Sequence, residues 1–237
     1  MRRTASSGES AAPPERALSG VFVTGTGTEV GKTVVAAALA RTAMRAGNRV
    51  AVFKPAVSGL NDGDGSGGEP DHVLLRRAAG SGQDDDEIAP YRYGPAVSPH
   101  LAAELAGKEI EPARLLKGAR AAASDADVLV CEGVGGFLVP LTPTYLVRDF
   151  ARELGLPVVV AAHAGLGTIN HTLLTLEAVR GAGLEALTVV LTPWPDAPGT
   201  LERSNRETIK RLGGAEVRIL PTLDLGAPES WPALELG

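Results

Sequence analysis

The sequence has little cysteine and few aromatic residues. Only one of the 237 residues, Cys131, is a cysteine, which excludes an internal disulfide framework and fits a reducing compartment. Aromatic residues make up 4% of the chain, against 44% for all hydrophobic residues. We therefore expect a cytoplasmic protein whose core is packed mainly with Ala, Val and Leu.

A strong charge of one sign and long apolar runs are also lacking. The formal net charge of −5 argues against electrostatic binding to nucleic acid or to an anionic membrane. The apolar runs fall short of the roughly 20 residues that span a bilayer. Residues 1–16 are rich in Ser, Ala, Pro and Glu without the apolar core of a secretory signal. We expect no nucleic acid or membrane partner, a disordered extension over residues 1–18, and one domain over 19–237.

Strand-like runs of Val, Leu and Ile alternate with helical patterns along the chain. The predicted strands begin at Val21 and continue at 49–54, 127–132, 156–162, 186–192 and, at a sheet edge, 216–220. The predicted helices cover 33–46, 71–79, 112–123, 145–154, 169–182 and 201–212. Near-continuous apolar runs are typical of parallel strands that are buried on both faces. The sequence therefore predicts an α/β fold with a doubly wound, mostly parallel sheet in three α/β/α layers.

The first predicted strand runs into a glycine-rich loop that ends in Gly31-Lys32-Thr33. In such loops the backbone N–H groups cradle phosphate oxygens, the Lys reaches the outer phosphates, and the Thr hydroxyl ligates Mg²⁺. The standard spacing places glycine at position 26, where Thr26 stands, so that counting from Gly25 makes the loop one residue longer. With a strand before it and an Ala-rich helix after it, the loop predicts a fold of the P-loop NTPase type that binds a nucleoside triphosphate.

Several chemically useful residues follow the predicted strands. Gly25, Lys54, Glu132 and His163 lie at or just past strand ends, and ligands of open parallel sheets bind at the carboxyl ends of the strands. We therefore expect these four positions to converge on one crevice. A Gly/Asp-rich stretch at 58–70 is longer than most connections and is typical of a functional or mobile loop.

Two carboxylates are candidate ligands of Mg²⁺. Protein-bound Mg²⁺ usually takes one or two carboxylates in addition to substrate phosphates, and Thr33, Asp71 and Glu132 would supply that set. Asp71 also stands where a helix N-cap is expected, and its position alone favours the cap. For Glu132 a purely structural role is less favoured, because a carboxylate that closes a buried strand needs a partner.

Two further positions have alternative interpretations. Lys54, at the end of the second strand, is either a solvated lysine or a second cation that faces the γ-phosphate. The helix start Gly167-Thr168-Ile169-Asn170 presents free N–H groups that suit an anion. The alternative there is a simple helix cap by Thr168 or Asn170.

Taken together, these motifs resemble the dethiobiotin synthetase family over roughly residues 21–221. The resemblance rests on the loop through Thr33, on Lys54-Pro-Ala-Val-Ser-Gly59, Ser98-Pro-His100, Glu132-Gly-Val-Gly-Gly136 and Gly167-Thr-Ile-Asn-His171. This family uses the longer P-loop.

Two other classes with the same fold fit less well. Amide synthases of the cobyrinate type carry a glutaminase domain with a cysteine nucleophile, whereas this chain is short and has only Cys131. Switch ATPases of the partitioning class carry an additional lysine early in the loop, where this chain has Gly25-Thr26-Gly27.

The family resemblance implies a ligase of biotin biosynthesis that uses ATP and Mg²⁺. Such an enzyme closes a ureido ring on 7,8-diaminononanoate and CO₂ (or bicarbonate) through a carbamate and its phosphate, and it releases ADP and phosphate. The resemblance also implies a homodimer with the active site at the subunit interface, where the partner's helix start equivalent to 167–170 binds the substrate carboxylate.

The resemblance also assigns roles to individual residues. The catalytic residues would be Lys54, Lys32 and Thr28, and the metal ligands Thr33, Asp71 and Glu132. Substrate would bind Ser58, Gly167, Thr168, Ile169 and Asn170. The nucleotide would bind Glu29, Val30, Gly31, Lys32, Thr33, Val34, Asp71, Glu132, Gly133, Val134, Gly135, Thr192, Pro193, Pro221, Thr222 and Leu223.

The chain departs from the family where adenine is commonly read by an Asn-Asp pair. Thr192 and Pro193 stand there, and neither reproduces the paired donor and acceptor of an amide. This departure predicts loose discrimination of the base, with CTP or GTP as alternatives to ATP.

Overall fold

The computed structural model describes residues 18–60 and 69–236. Its centre is a six-stranded parallel sheet with the order β2-β3-β1-β6-β7-β8. The strands are β1 (Gly20–Gly25), β2 (Val50–Phe53), β3 (Val128–Glu132), β6 (Val158–Ala162), β7 (Ala186–Trp194) and β8 (Glu216–Pro221). A short antiparallel pair joins β4 (Pro140–Thr142) and β5 (Tyr145–Leu146). The predicted parallel sheet is confirmed, and so is the edge position of the last strand.

Helices connect the strands and cover both faces of the sheet. They are α1 (Lys32–Arg45), α2 (Asp71–Ala79), α3 (Asp85–Ile88), α4 (Pro99–Leu105), α5 (Pro112–Ser124), α6 (Val147–Leu154), α7 (Thr168–Gly181) and α8 (Thr200–Gly213), followed by a 3-10 turn at Pro228–Ser230. Each connection between successive strands of the central sheet contains at least one helix and crosses back over a sheet face.

Two hydrophobic clusters fill the space between the sheet and the helices. Alternate strand residues point to opposite faces, so that Val21 and Val23 pack with α1 and α2 while Phe22 packs with α5 to α8. Phe22 meets Phe150 of α6 edge-on, with ring centroids 6.1 Å apart. The three-layer α/β/α arrangement is thus confirmed, and Ala, Val and Leu make up most of both clusters, as the composition predicts.

The structure differs from the sequence prediction in its short elements. Helices α3 and α4 and the β4–β5 pair have too few residues to show a period. The predicted helix at 145–154 begins only at Val147, because Tyr145 and Leu146 pair with the preceding strand.

Two expectations from the sequence concern residues outside the described ranges. The N-terminal extension falls almost entirely there, and so do residues 61–68 of the Gly/Asp-rich loop. Within the described ranges, no helix combines the length and the apolar character required to cross a bilayer.

Candidate active site

A cavity of about 780 Å³ opens at the carboxyl ends of β1, β2 and β3. Its volume lies within the roughly 300–1,000 Å³ of typical small-molecule sites. The predicted site residues that line it are Thr28, Glu29, Gly31, Lys32, Thr33, Val34, Lys54, Ser58, Asp71, Glu132, Val134 and Gly135. The sheet thus brings together residues that are more than 100 positions apart in the chain.

The glycine-rich loop wraps one end of the cavity and leads into α1. Gly31 is the N-cap of α1 with φ +85°, and Glu29 also has a positive φ of 59°. The left-handed backbone at Gly31 turns the chain sharply into the helix, whose first N–H groups lack partners from a preceding turn. The Lys32 ammonium donates a 2.7 Å hydrogen bond to the carbonyl of Gly27 across this loop. This arrangement suits a phosphate group.

Lys54 is buried between two carboxylates. Its side chain is only 5% exposed, and its ammonium lies 2.7 Å from Glu132 Oε1, whose side chain is fully buried. The same ammonium makes a short ion pair with Asp71, which is half-exposed. The interpretation of Lys54 as a solvated strand-end lysine is therefore wrong. Asp71 is not the N-cap of α2 either, since Pro70 occupies that position.

The pKa values of these groups follow from burial and from their mutual contacts. Burial by itself would lower the pKa of Lys54, but Glu132 and Asp71 outweigh it and raise the value. Burial lowers the pKa of the Lys32 ammonium despite the nearby Glu132. Burial raises the pKa of Glu132 in spite of Lys54. Burial would also raise the pKa of Asp71, but the Lys54 ammonium, with a smaller influence from Thr33, lowers it.

Oxygen atoms of three side chains meet beside Lys54. The Thr33 hydroxyl donates to Glu132 Oε1 over 2.9 Å, and the nearby Thr33 side chain also lowers the pKa of Asp71. Glu132 Oε2 is buried and has no hydrogen-bond partner among the described residues. A hydroxyl and two carboxylates are hard oxygen ligands, the kind that Mg²⁺ prefers. A buried carboxylate oxygen without a partner is also costly unless a cation binds it. The donor set therefore fits Mg²⁺ together with a phosphate ligand.

Some predicted nucleotide residues lie outside the lining of this cavity. Val30 and Gly133 are buried. The others lie at or just past the ends of β7 and β8, which are on the opposite side of β1 from β3, and these residues are Thr192, Pro193, Pro221, Thr222 and Leu223. A Cβ added to Gly31 would come within 2.5 Å of the Thr192 methyl carbon. The end of β7 therefore touches the start of α1.

The helix start at 167–170 is separate from the cavity, and no residue of it lines the cavity wall in the part of the chain described. Gly167 is the N-cap of α7 with φ +91° and makes no side-chain cap bond. The alternative of a cap by Thr168 or Asn170 is therefore wrong. His163, expected in the same crevice as Lys54, is exposed and also does not line the cavity.

The structure adds wall residues that the sequence did not identify as site residues. Ala96, Val97, Ser98 and Pro99 form one side of the cavity, and Glu69 and Leu225 form part of its rim. Ser98 and Pro99 belong to the Ser-Pro-His motif, which contributes to the family resemblance but has no role assigned from the sequence. Leu225 follows the last strand in a segment without a recognisable motif.

Comparison with known proteins agrees with this geometry. The family described as AAA domain matches residues 19–227. An ATP-dependent dethiobiotin synthetase of Anaeromyxobacter dehalogenans strain 2CP-1 is 47% identical over 174 residues, which cover 73% of this chain and 76% of that protein. Proteins of the same name from Rhodococcus erythropolis (41% identical, 83% of this chain and 85% of that protein) and Bacillus cereus strain B4264 (37%, 84% and 81%) match as well.

These matches cover most of the P-loop fold and distinguish between the three classes of protein that share it. Relatives at this identity, aligned over more than two thirds of the chain, favour neither an amide synthase of the cobyrinate type nor a switch ATPase. The chain belongs to the ATP-dependent dethiobiotin synthetase family.

Proposed function

We propose that this protein uses ATP and Mg²⁺ to close the ureido ring of dethiobiotin from 7,8-diaminononanoate and CO₂. The observation that carries the proposal is the position of Lys54. Its buried ammonium lies 2.7 Å from Glu132, in the cavity that the P-loop residues Lys32 and Thr33 also line. A second lysine at that point places two cations where a phosphoryl group is transferred.

The proposed reaction needs no nucleophile from the protein. One amine of the substrate adds to CO₂ and loses a proton, which gives a carbamate. A carbamate oxygen then attacks the γ-phosphorus of ATP, and ADP leaves. The second amine attacks the carbonyl carbon, phosphate leaves with its bonding electron pair, and the amine loses a proton as the ring closes.

In this scheme the protein supplies position and charge. Lys32 and Lys54 neutralise the anionic oxygens of the γ-phosphate and the carbamate. Thr28 and Ser58, which also line the cavity, contact the carbamate and the diamine. The cationic environment favours the uncharged, nucleophilic form of the substrate amine.

Thr33, Asp71 and Glu132 would hold Mg²⁺ together with the nucleotide phosphates. Bound there, the ion would neutralise charge on the phosphate oxygens. In the structure Lys54 contacts the same two carboxylates. Lys54 and the metal would therefore share the negative charge of Asp71 and Glu132.

The proposal extends to assembly and location. The helix start at 167–170 is outside the cavity, and the neighbouring Leu166 and Leu174 are 90% and 57% exposed. A homodimer would bring this helix start of one subunit to the cavity of the other, where its N–H groups would bind the substrate carboxylate. We also propose a cytoplasmic location and a single domain over 19–237, and the AAA domain match over residues 19–227 supports the domain.

Product formation tests the proposed function directly. Purified protein with diaminononanoate, bicarbonate, Mg²⁺ and ATP is expected to yield dethiobiotin, ADP and phosphate in equal amounts, measured by mass spectrometry and phosphate release. CTP and GTP replace ATP in parallel reactions and are expected to support turnover, because Thr192 and Pro193 offer no paired amide contacts to adenine. A reaction without diamine is the control. Absence of dethiobiotin with every nucleotide would refute the proposal.

Asn205 is expected to position the loop before α7. Its buried side-chain amide donates to the carbonyls of Ala164 (2.8 Å) and Gly165 (3.0 Å). In Asn205→Ala both carbonyls lose a donor, so the free energy of unfolding is expected to fall by about 1–3 kcal/mol. The KM for the diamine is expected to rise while the KM for ATP stays unchanged. Denaturant titration and initial rates measure these effects, and equal changes in both KM values would contradict the assignment.

A further inference from the structure

The chain after β8 returns across the helices that carry the P-loop lysine and Asp71. We call residues 222–236 the C-terminal segment. Trp231 is buried, and its indole N–H donates to the carbonyl of Asp224 over 2.6 Å. Arg45 of α1 donates to the carbonyl of Trp231 over 2.7 Å, and the N–H of Leu234 donates to the Thr42 hydroxyl over 2.9 Å. The far end of this segment is therefore fixed to α1.

The near end of the C-terminal segment also contacts a side chain of α2. Arg77 Nη2 donates to the carbonyl of Leu225 over 2.6 Å. The same guanidinium pairs with Glu69, at 2.6 Å from Nη2 to Oε2 and 3.2 Å from Nε to Oε1. The planar guanidinium group of Arg77 thus joins Glu69 and Leu225, which are more than 150 positions apart in the chain.

Both partners of Arg77 are rim residues of the active-site cavity. Glu69 and Leu225 line it, whereas Arg77 itself does not. Glu69 precedes Asp71 by two residues, and Leu225 follows Leu223, which packs in the same hydrophobic cluster as Val34 of the P-loop helix. Arg77 therefore fixes this part of the cavity rim from outside.

The sheet order indicates which part of a nucleotide this rim would face. The strands that carry Lys54 and Glu132, β2 and β3, lie on one side of β1, and β7 and β8 lie on the other. The phosphate end of the site is thus between β1 and β3. The C-terminal segment starts at the end of β8, and its Leu225 lines the cavity together with Thr33 and Val34 of the first turn of α1. It lies where the nucleoside would extend from phosphates held by the P-loop.

We propose that Arg77 is a positioning residue for the nucleoside part of the nucleotide, an inference that rests on the proposed function of the cavity. By holding Leu225 and Glu69 together, Arg77 keeps the segment from Thr222 to Leu225 against the nucleotide as an outer wall. Triphosphate binding by Lys32 and Thr33 does not depend on that wall.

The neighbouring arginine supplies a matched control. Arg76 lies on the same helix, has a side chain 34% exposed against 36% for Arg77, and pairs with Asp85, which is not among the lining residues. Arg76→Ala and Arg77→Ala therefore remove the same charge and one ion pair each. Of the two, only Arg77→Ala removes side-chain contacts to residues that line the cavity.

Binding of ATP and of inorganic tripolyphosphate to the full-length protein, measured by titration calorimetry, tests the proposal. Arg77→Ala is expected to raise the Kd of ATP about tenfold, the loss of one charge-assisted hydrogen bond, and to change the Kd of tripolyphosphate by less than twofold. Arg76→Ala is expected to change neither. Thermal unfolding of each variant shows that the protein is folded.

The other outcomes overturn the proposal. An unchanged Kd of ATP would show that Arg77 makes only a surface ion pair, and an equal loss for ATP and tripolyphosphate would show a general disturbance of the site. Glu69→Gln, which leaves the bond to Leu225 in place, is expected to retain most of the ATP affinity, and a tenfold loss there would contradict a role through Leu225. Because binding is measured without diamine, a wild type that binds ATP and yields no dethiobiotin would refute the proposed function and leave the role of Arg77 intact.

Discussion

Replacement of Lys54 by methionine is expected to lower kcat by about 10²–10³-fold, the size of effect seen when one preorganised electrostatic contact to a transition state is lost. Methionine keeps the length and apolar stem of lysine, so packing changes little. The variant lacks the cation that lies 2.7 Å from Glu132 and also contacts Asp71. Initial rates at saturating ATP and diamine measure the loss, and near-normal turnover would remove Lys54 from the mechanism.

The same substitution is expected to destabilise the protein without ligands. Glu132 is fully buried, and removal of one partner from a buried pair costs about 3–5 kcal/mol because the remaining charge is uncompensated. Lys54→Met/Glu132→Gln removes that charge as well, so the double variant is expected to regain most of the lost free energy of unfolding but none of the activity. Denaturant titration of the wild type, both single variants and the double variant gives the coupling.

Stabilisation by Mg²⁺ tests independently whether Lys54 and the metal bind the same two carboxylates, Asp71 and Glu132. In Lys54→Met the side chains of Asp71 and Glu132 have lost their cation, so MgCl₂ is expected to raise the Tm of this variant more than that of the wild type. NaCl at equal ionic strength is the control, since it screens charge without taking a carboxylate as a ligand. An equal shift in both proteins would argue against a common site for Lys54 and the metal.

The sheet and its flanking long helices could be predicted from the sequence because they depend on local patterns. Near-continuous apolar runs such as 158–162 leave no polar face, which is possible only for strands covered on both sides. The carboxyl ends of such strands meet at one edge, so the meeting of Lys54 with Glu132 followed from the fold class. The glycine-rich loop identified the phosphate end of the cavity on the same basis.

Contacts between distant segments left no such pattern in the sequence. Asp71 at a helix start has the same local sequence whether it caps the helix or pairs with a lysine, and only the packing of α2 against α1 and β2 decides. Arg77 and Leu225 are 148 positions apart, and a backbone carbonyl as acceptor imposes no residue type. The β4–β5 pair has too few residues for a period.

Gly31→Ala is expected to weaken ATP binding by about 10²-fold, because displaced N–H groups of the loop lose charge-assisted hydrogen bonds to phosphate that are worth about 1.5–3 kcal/mol each. Gly31 has φ +85°, and a Cβ there would approach the Thr192 methyl carbon to 2.5 Å, so that the loop must move away from the end of β7. Gly47→Ala is the matched control, with φ +89° and nothing within 4 Å of the added Cβ. Both variants carry the strain of a left-handed alanine, roughly 1–2 kcal/mol, but only Gly31→Ala is expected to lose affinity.

A second substitution separates the collision at Gly31 from the backbone strain. Thr192→Ser removes the methyl group that the new Cβ would meet and keeps the hydroxyl, so the double variant Gly31→Ala/Thr192→Ser is expected to recover much of the lost ATP affinity. Thr192→Ser alone is expected to bind ATP like the wild type. Calorimetric titration with ATP measures all four proteins. If the double variant binds no better than Gly31→Ala, the loss arises from the left-handed backbone of the loop and not from its contact with the end of β7.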